Sequence, residues 1–335
     1  MFNVAIVGAT GAVGTMMLRV LEERGFPVTE LRPLASARSA GRIVEYLGKP
    51  YVVQELTEDS FEGIQIALFS AGGDRSRDFA PAAVEAGAVV IDNSSAFRMH
   101  DDVPLVVPEV NEAAIANHHG IIANPNCVAA PLVVALKPIA DAVGLERVII
   151  SSYQAVSGTG QQGINELMRL TQGYLAGDEP EPSVYPHPIA FNVLPHIDTF
   201  DDTGYTGEER KVIAETRKML GLADLAVSAT CVRVPVFHGH SISVQIETTD
   251  ALDAAAARNL MMAAPGLILA DEPQLAIYPL PRLATGRDEV MVGRIRNDLS
   301  HPRGLVMWIS SDNLRKGAAT NAVQIAESLV TRGWL

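Results

Sequence analysis

At 335 residues the chain is longer than one ordinary core needs, so length alone points to two domains. Hydrophobic residues make up 48% and charged residues 19%, a globular balance that excludes a disordered chain. The formal net charge of −13 argues against nucleic acid as a partner, because phosphate-backbone affinity needs concentrated Lys and Arg. In so acidic a chain each arginine placed near a candidate site deserves separate weighing.

The opening run Met1-Phe2-Asn3-Val4-Ala5-Ile6-Val7 has no basic segment before its apolar residues, so it does not have the form of a secretory signal. Residues 3–7 predict a strand, and residues 11–24 a helix with Val13, Met16, Met17, Val20 and Leu21 on one side. Between them lies Gly8-Ala9-Thr10-Gly11-Ala12-Val13-Gly14. Glycines between a strand and a helix permit a tight turn and let a pyrophosphate reach exposed N–H groups and the helix dipole. The spacing is GxxGxxG, not GxGxxG, so it is the strand–turn–helix context that points to nucleotide binding. Gly8, Thr10, Gly11, Ala12 and Val13 are the candidate contacts.

The second strand is expected to end near Leu34, where an NAD site would place a carboxylate for the ribose 2′-hydroxyl. The chain offers Ala35-Ser36-Ala37-Arg38-Ser39 instead. A guanidinium between the hydroxyls of Ser36 and Ser39 suits a 2′-phosphate and favours NADP over NAD. Away from a glycine turn, Arg38 would be an ordinary solvated arginine.

Residues 66–70, 89–92 and 105–107 predict further buried strands, separated by Ala-rich helical stretches such as 80–86. This alternation predicts a Rossmann-type parallel sheet with helices on both faces. The most apolar later stretch, 121–140, is broken by Asn124, Pro125, Asn126, Pro131, Lys137 and Pro138, so no membrane span is expected. A cytoplasmic protein is the corresponding expectation.

Within that stretch Asn124-Pro125-Asn126-Cys127 precedes a helical pattern over 128–136. A thiol at a helix N-terminus is drawn toward thiolate, the nucleophilic form. The polar flanks of Cys127 separate it from Cys231, which sits in a strand pattern and is expected in the core. Two cysteines at this spacing form no CxxC metal site, and no metal is expected.

After residue 127 the texture changes. Long β-rich runs over 148–156, 227–236 and 241–248 alternate with helices and a Pro-rich connection over 179–195. An α+β second domain with an antiparallel or mixed sheet follows. A thiolate calls for a proton-transfer partner, and among the eight histidines His240 stands out. In Arg233-Val234-Pro235-Val236-Phe237-His238-Gly239-His240-Ser241 one strand brings in Arg233, Gly239 allows a kink, and a second strand leaves. Residues 304–309 predict a strand, Ser311-Asp312-Asn313 a capping cluster, and 316–331 an amphipathic helix folding back on the first domain. The expected partition is 1–126 completed by 314–335, with 127–313 as the second domain.

GATGAVG, LASARSAG, DNSSAFR, NPNC, QAVSGTG, EERK, RVPVFHGHS and DNLRKGAA occur in this order over almost the whole chain. Together they resemble bacterial aspartate-β-semialdehyde dehydrogenases. The resemblance implies a thioester on Cys127, His240 as acid/base, and Gln154 orienting the substrate. It implies Arg233 on the substrate carboxylate and Glu208 on its ammonium. Arg98, Lys211 and Asn126 would receive phosphate, and Ser157, Gly158 and Asn313 would join Thr10 to Val13, Arg38 and Ser39 around NADP. The substrates so implied are L-aspartyl-4-phosphate and L-aspartate-4-semialdehyde, in lysine, threonine and methionine biosynthesis. A homodimer or homotetramer is implied as well. The sequence departs from the family pattern in having Val128-Ala129 where Ser-Thr usually follows the cysteine. Two rival readings remain: an N-acetyl-γ-glutamyl-phosphate reductase, and a non-catalytic NADP-binding relative.

Overall fold

The computed structural model describes residues 1–335, which form two compact units. One comprises Met1–Asn126 with Ala318–Leu335, the other Cys127–Gly317.

The first unit is built on strands β1 (Phe2–Val7), β2 (Val28–Ala35), β5 (Gln54–Glu55), β6 (Ile66–Phe69), β7 (Val89–Asp92) and β8 (Ile121–Ala123). A small antiparallel ribbon, β3 (Ile43–Tyr46) with β4 (Lys49–Val52), lies outside that sheet. The strand order is β5-β2-β1-β6-β7-β8 and every pairing is parallel. Parallel strands are covered on both faces, which is why β6 and the first three residues of β7 are apolar without alternation and both strands are wholly buried. Helix α1 (Ala12–Glu23) packs Met17, Leu18, Val20 and Leu21 into one face of the core. The C-terminal helix Thr320–Arg332 buries Val323, Ile325, Ala326 and Leu329 in that same cluster. Helix α2 (Gly73–Glu85) covers the other face through Ala80 and Ala83.

One local expectation needs correction, and two helices gain detail. Residues 105–107 are buried but form no strand. Leu105 makes a single bridge to Ala123, and Val107 already caps the short helix α3 (Pro108–Asn111). Residues 80–86 are only the end of α2, whose polar opening turns carry no apolar period. The final helix opens with one wider π-turn, Arg315–Ala319, and becomes α-helical at Thr320.

In the second unit, α4 (Ala129–Val143) runs through Pro138 to Gly144, where a φ of 71° ends it. Its continuous buried run from Ala129 to Leu136, with Ile139, supplies the packing that outweighs the proline's missing donor. The sheet contains β9 (Leu145–Gln154), β10 (Ala226–Arg233), β11 (His240–Thr248), β12 (Leu267–Leu269), β13 (Val290–Asn297) and β14 (Gly304–Ser311). Its order is β10-β9-β11-β14-β13-β12, a mixed sheet. β9 and β10 run parallel and end together, Gln154 opposite Arg233, while antiparallel β11 begins beside them at His240. Register alone therefore gathers three of the residues singled out above at one edge. The helices of this unit are α5 (Gln161–Ala176), α6 (Gly207–Leu220), α7 (Ala254–Ala263) and the short α8 (Pro281–Ala284).

Candidate active site and nucleotide cleft

Cys127 is half-buried, and its Sγ lies 3.4 Å from Nε2 of His240. The turn that presents His240 depends on Gly239, whose φ is 84° and where a Cβ would fall 2.7 Å from the Pro281 carbonyl oxygen. Gly317 backs onto the cysteine so closely that a Cβ there would lie 3.1 Å from that of Cys127. The other ring nitrogen of His240, Nδ1, accepts the Ala155 backbone N–H at 3.0 Å. That contact decides the tautomer. With Nδ1 accepting, the neutral ring carries its proton on Nε2, facing the sulfur. The ring is fully enclosed, and burial, with the Arg233 charge second, holds its pKa well below the usual histidine range. Both influences keep His240 neutral.

The thiol contrast predicted from sequence has a physical basis. Cys231 is buried in β10, and burial pushes its pKa up to about 12, so it stays a protonated, inert thiol.

Gln154, nearly inaccessible at the end of β9, donates from Nε2 to Glu208 Oε1 at 3.3 Å and to Ser152 Oγ at 3.2 Å. Helical position separates Glu208 from its neighbour. Glu209 closes a capping box with Thr206 and accepts the Cys231 N–H at 2.9 Å, so its carboxylate is committed to the scaffold. Arg233 is 5% exposed; its Nη1 donates to the Ala155 carbonyl at 2.8 Å, and its buried Nε has no acceptor. A buried guanidinium donor left unsatisfied is costly, and such a site fits an incoming anion. Gly158 lies against this group: a Cβ there would be 2.8 Å from Arg233 Nη1 and 3.4 Å from His240 Nε2. Asn313 is buried, and its Oδ1 accepts from Ser157 Oγ and from the Gly239 N–H, both at 3.0 Å. It thereby ties the turn after β9 to the turn before β11.

Lys211 pairs with Asp198 at 2.6 Å and only loosely with Glu208, at 3.9 Å. Asp198 was not visible as a partner from sequence because it is 13 residues away, across a loop. The Lys211 hydrogen bond holds the Asp198 carboxyl below the usual carboxylate range.

In the first unit, Arg98 is buried, with Nε on the Asn124 carbonyl at 2.9 Å and Nη2 on the Asn93 carbonyl at 2.8 Å. Arg98 is therefore not a solvated surface arginine, although His100, Asp101 and Asp102 follow it closely in sequence. The turn before Asn126 is held by amides: Asn321 donates to Asn124 Oδ1 at 2.7 Å, and Asn124 donates to Asn93 and to the Ala318 carbonyl.

The same unit contains a cleft of about 570 Å³ lined by Gly8, Thr10, Gly11, Ser36, Arg38 and Ser39. The glycines are demanded by contact: a Cβ on Gly8 would sit 2.4 Å from the Ser70 carbonyl oxygen, and one on Gly14 2.2 Å from that of Gly8. Gly11 has open space on its solvent side, as close approach of a pyrophosphate requires. The residues present therefore fit a dinucleotide. Sequence reading missed Arg75 and Glu55 on this cleft. The signal for Arg75 was a second strand–Gly-rich turn–helix, Ser70-Ala71-Gly72-Gly73 between β6 and α2.

Two family models match the chain: "semialdehyde dehydrogenase, NAD binding domain" over residues 3–118 and "semialdehyde dehydrogenase, dimerisation domain" over 136–316. The chain is 55% identical to the aspartate-semialdehyde dehydrogenase of Aquifex aeolicus, over 99% of each chain. It belongs to the aspartate-semialdehyde dehydrogenase family. Its fold matches a crystal structure of aspartate semialdehyde dehydrogenase II from Vibrio cholerae complexed with ASA. That match has a TM-score of 0.96 and 51% identity, covering 99% of this chain and 98% of that one. It also matches the Candida albicans enzyme with NADP, at TM-score 0.79 and 26% identity over the whole of both chains. Like other members of the family, the protein is an oxidoreductase acting on aldehyde groups. No helix is long and apolar enough to cross a membrane.

Proposed function

We propose that the protein catalyses the reversible, NADPH-dependent reduction of L-aspartyl-4-phosphate to L-aspartate-4-semialdehyde and phosphate, through a thioester on Cys127. The observation that carries this reading is the thiol–imidazole pair beside a buried arginine with a donor unspent.

In the reductive direction the Cys127 thiolate attacks the acyl carbon, and the C–O bond to phosphate breaks. The phosphate is assigned to Arg98, Asn126 and Lys211, because cations placed where charge develops lower the barrier. NADPH, held by Gly8, Thr10, Gly11, Ala12, Val13, Ser36, Arg38, Ser39, Ser157, Gly158 and Asn313, supplies hydride when bound. The Nε2–H of His240 faces the sulfur and is placed to stabilise the oxyanion of the hemithioacetal. As that oxyanion collapses to aldehyde it expels the thiolate, which the same N–H receives; the proton balancing the reaction ends on phosphate. Gln154 orients the acyl group, Arg233 binds the α-carboxylate, and Glu208 pairs with the ammonium. The N-acetylated glutamyl homologue has no ammonium, so the buried Glu208 argues for the aspartyl substrate. A homodimer is proposed to form through the sheet face bearing Tyr153 and Trp308, whose rings lie 5.3 Å apart.

The test of this reading is phosphate-dependent NADP reduction with L-aspartate-4-semialdehyde. Preference for the N-acetylated glutamate semialdehyde would reassign the substrate.

Two further results are expected. Arg38→Ala should weaken NADPH binding roughly tenfold to a hundredfold, the cost of about one charge-assisted hydrogen bond, and barely alter NADH binding. Titration with both nucleotides decides it, and an unchanged ratio would remove Arg38 from the 2′-phosphate. The second concerns pH. Because His240 works as a neutral ring held well below its usual pKa, kcat/KM should show no acid limb near about 6.5, the ordinary histidine value. The same shift affects stability. Its folded value lies below the unfolded one, so this contribution is fully present above about 6.5 and is lost as pH falls toward the folded value. A pH–rate profile with a limb at the ordinary value, absent in His240→Gln, would show that the ring is not held neutral.

A further inference from the structure

The Pro-rich connection after α5 ends in a clamp that the proposed mechanism does not use. Glu166, on α5, is 3% exposed, yet its carboxylate accepts four hydrogen bonds from residues 183–185. They come from the N–H and hydroxyl of Ser183 at 2.8 and 2.5 Å, and from the N–H groups of Val184 and Tyr185 at 2.8 and 3.2 Å. A carboxylate taking this many donors stays charged and fixes the backbone that supplies them. The hydroxyl of the residue so fixed, Tyr185, donates to Thr159 Oγ1 at 3.0 Å.

Thr159 closes the turn Val156–Thr159, which carries Ser157 and Gly158. Gly158 abuts both Arg233 Nη1 and His240 Nε2. Gly163, on the first turn of α5, makes the approach possible, since a Cβ there would lie 2.7 Å from the Tyr185 hydroxyl and 2.5 Å from the Val156 carbonyl oxygen. A continuous set of contacts thus runs from Glu166 through Tyr185 and Thr159 to the wall of the substrate site.

We propose that Tyr185, held by the Glu166 carboxylate, is a positioning residue that sets the Val156–Thr159 turn against Arg233 and His240. This rests on the active-site reading above, which places the substrate carboxylate on Arg233. Loss of the hydroxyl lets the turn relax, so the cation is less well aimed although Tyr185 touches no reacting atom.

The test uses the full chain and a readout independent of turnover: alkylation of Cys127 by anionic iodoacetate relative to neutral iodoacetamide. Tyr185→Phe keeps the ring, and the ratio should fall roughly fivefold, the worth of about one hydrogen bond. Thr159→Val should produce the same fall, Thr159→Ser should restore the wild-type ratio, and the double variant Tyr185→Phe/Thr159→Val should be no worse than either single one. In turnover, kcat/KM for the aldehyde should fall with the ratio while KM for phosphate stays put. A Tyr185→Phe protein with the wild-type alkylation ratio overturns the proposal, whatever its turnover. A wild-type protein inactive on aspartate semialdehyde would instead overturn the functional reading, leaving the alkylation ratio to decide this one.

Discussion

Cys127→Ala should abolish turnover, lowering kcat by at least about four orders of magnitude, while NADPH binds as before. The expectation follows from what the side chain is asked to do. Without the sulfur no covalent acyl intermediate forms, and His240 Nε2 loses the group 3.4 Å away that it faces. The nucleotide contacts proposed for the glycine turn and Arg38 are untouched, since those residues lie in Met1–Asn126. Cys231→Ala is the internal control. Its thiol is buried and pushed up to about 12, so its removal deletes a core filler and no nucleophile. Mass spectrometry of quenched turnover should place an acyl adduct on Cys127 alone. Residual activity in Cys127→Ala would dismiss the thioester, and an adduct on Cys231 would reassign it.

Much of this site is legible in the sequence because its determinants are local. A glycine turn between a strand and a helix announces itself, since Gly8 and Gly14 are each forced by a backbone carbonyl that any Cβ would strike. The polar turn ahead of Cys127 and the kink at Gly239 are likewise encoded within a few residues. The family resemblance points to Glu208, and the fold gives a reason why it is not Glu209: the Glu209 carboxylate is consumed by its cap. What the sequence hides is whatever depends on distant pairing. Residues 105–107 have strand composition, but only Leu105 forms a bridge, to Ala123, and the chain turns into α3. Apolar periodicity cannot distinguish a π-turn from an α-turn, so the wider opening turn at Arg315–Ala319 is invisible. The Ala155 N–H that fixes the His240 tautomer belongs to the backbone, and no residue type signals it. Glu166 reads as one more helix acid, and only the return of residues 183–185 makes it an anchor.

The register of the second sheet explains why one substitution without change of charge should matter so much. β9 and β10 finish opposite each other, so Arg233 is anchored at the end of a paired strand, with its main chain bonded to Leu194 on the other side. Its Nη1 is fixed on the Ala155 carbonyl, in the segment whose N–H also holds His240. The guanidinium is therefore a rigid plane with Nε still to be satisfied. Arg233→Lys retains the positive charge but replaces that plane with a single ammonium, which cannot keep the Ala155 contact and also grip a carboxylate at two points. If, as proposed, a bidentate grip on the carboxylate places the acyl carbon against the sulfur, kcat/KM for aspartate semialdehyde should drop at least about a hundredfold, or roughly 2.7 kcal/mol. KM for phosphate should move little. Glu208→Ala provides the complementary measurement. If its carboxylate pairs with the ammonium, its loss should erode the preference for aspartate semialdehyde over succinate semialdehyde, which has no amino group. Steady-state kinetics of the three proteins on both aldehydes decide the matter. An Arg233→Lys enzyme within a fewfold of wild type would mean that the substrate carboxylate is held elsewhere, whereas unchanged discrimination in Glu208→Ala would leave that side chain a structural role, in its contacts with Gln154 and Lys211.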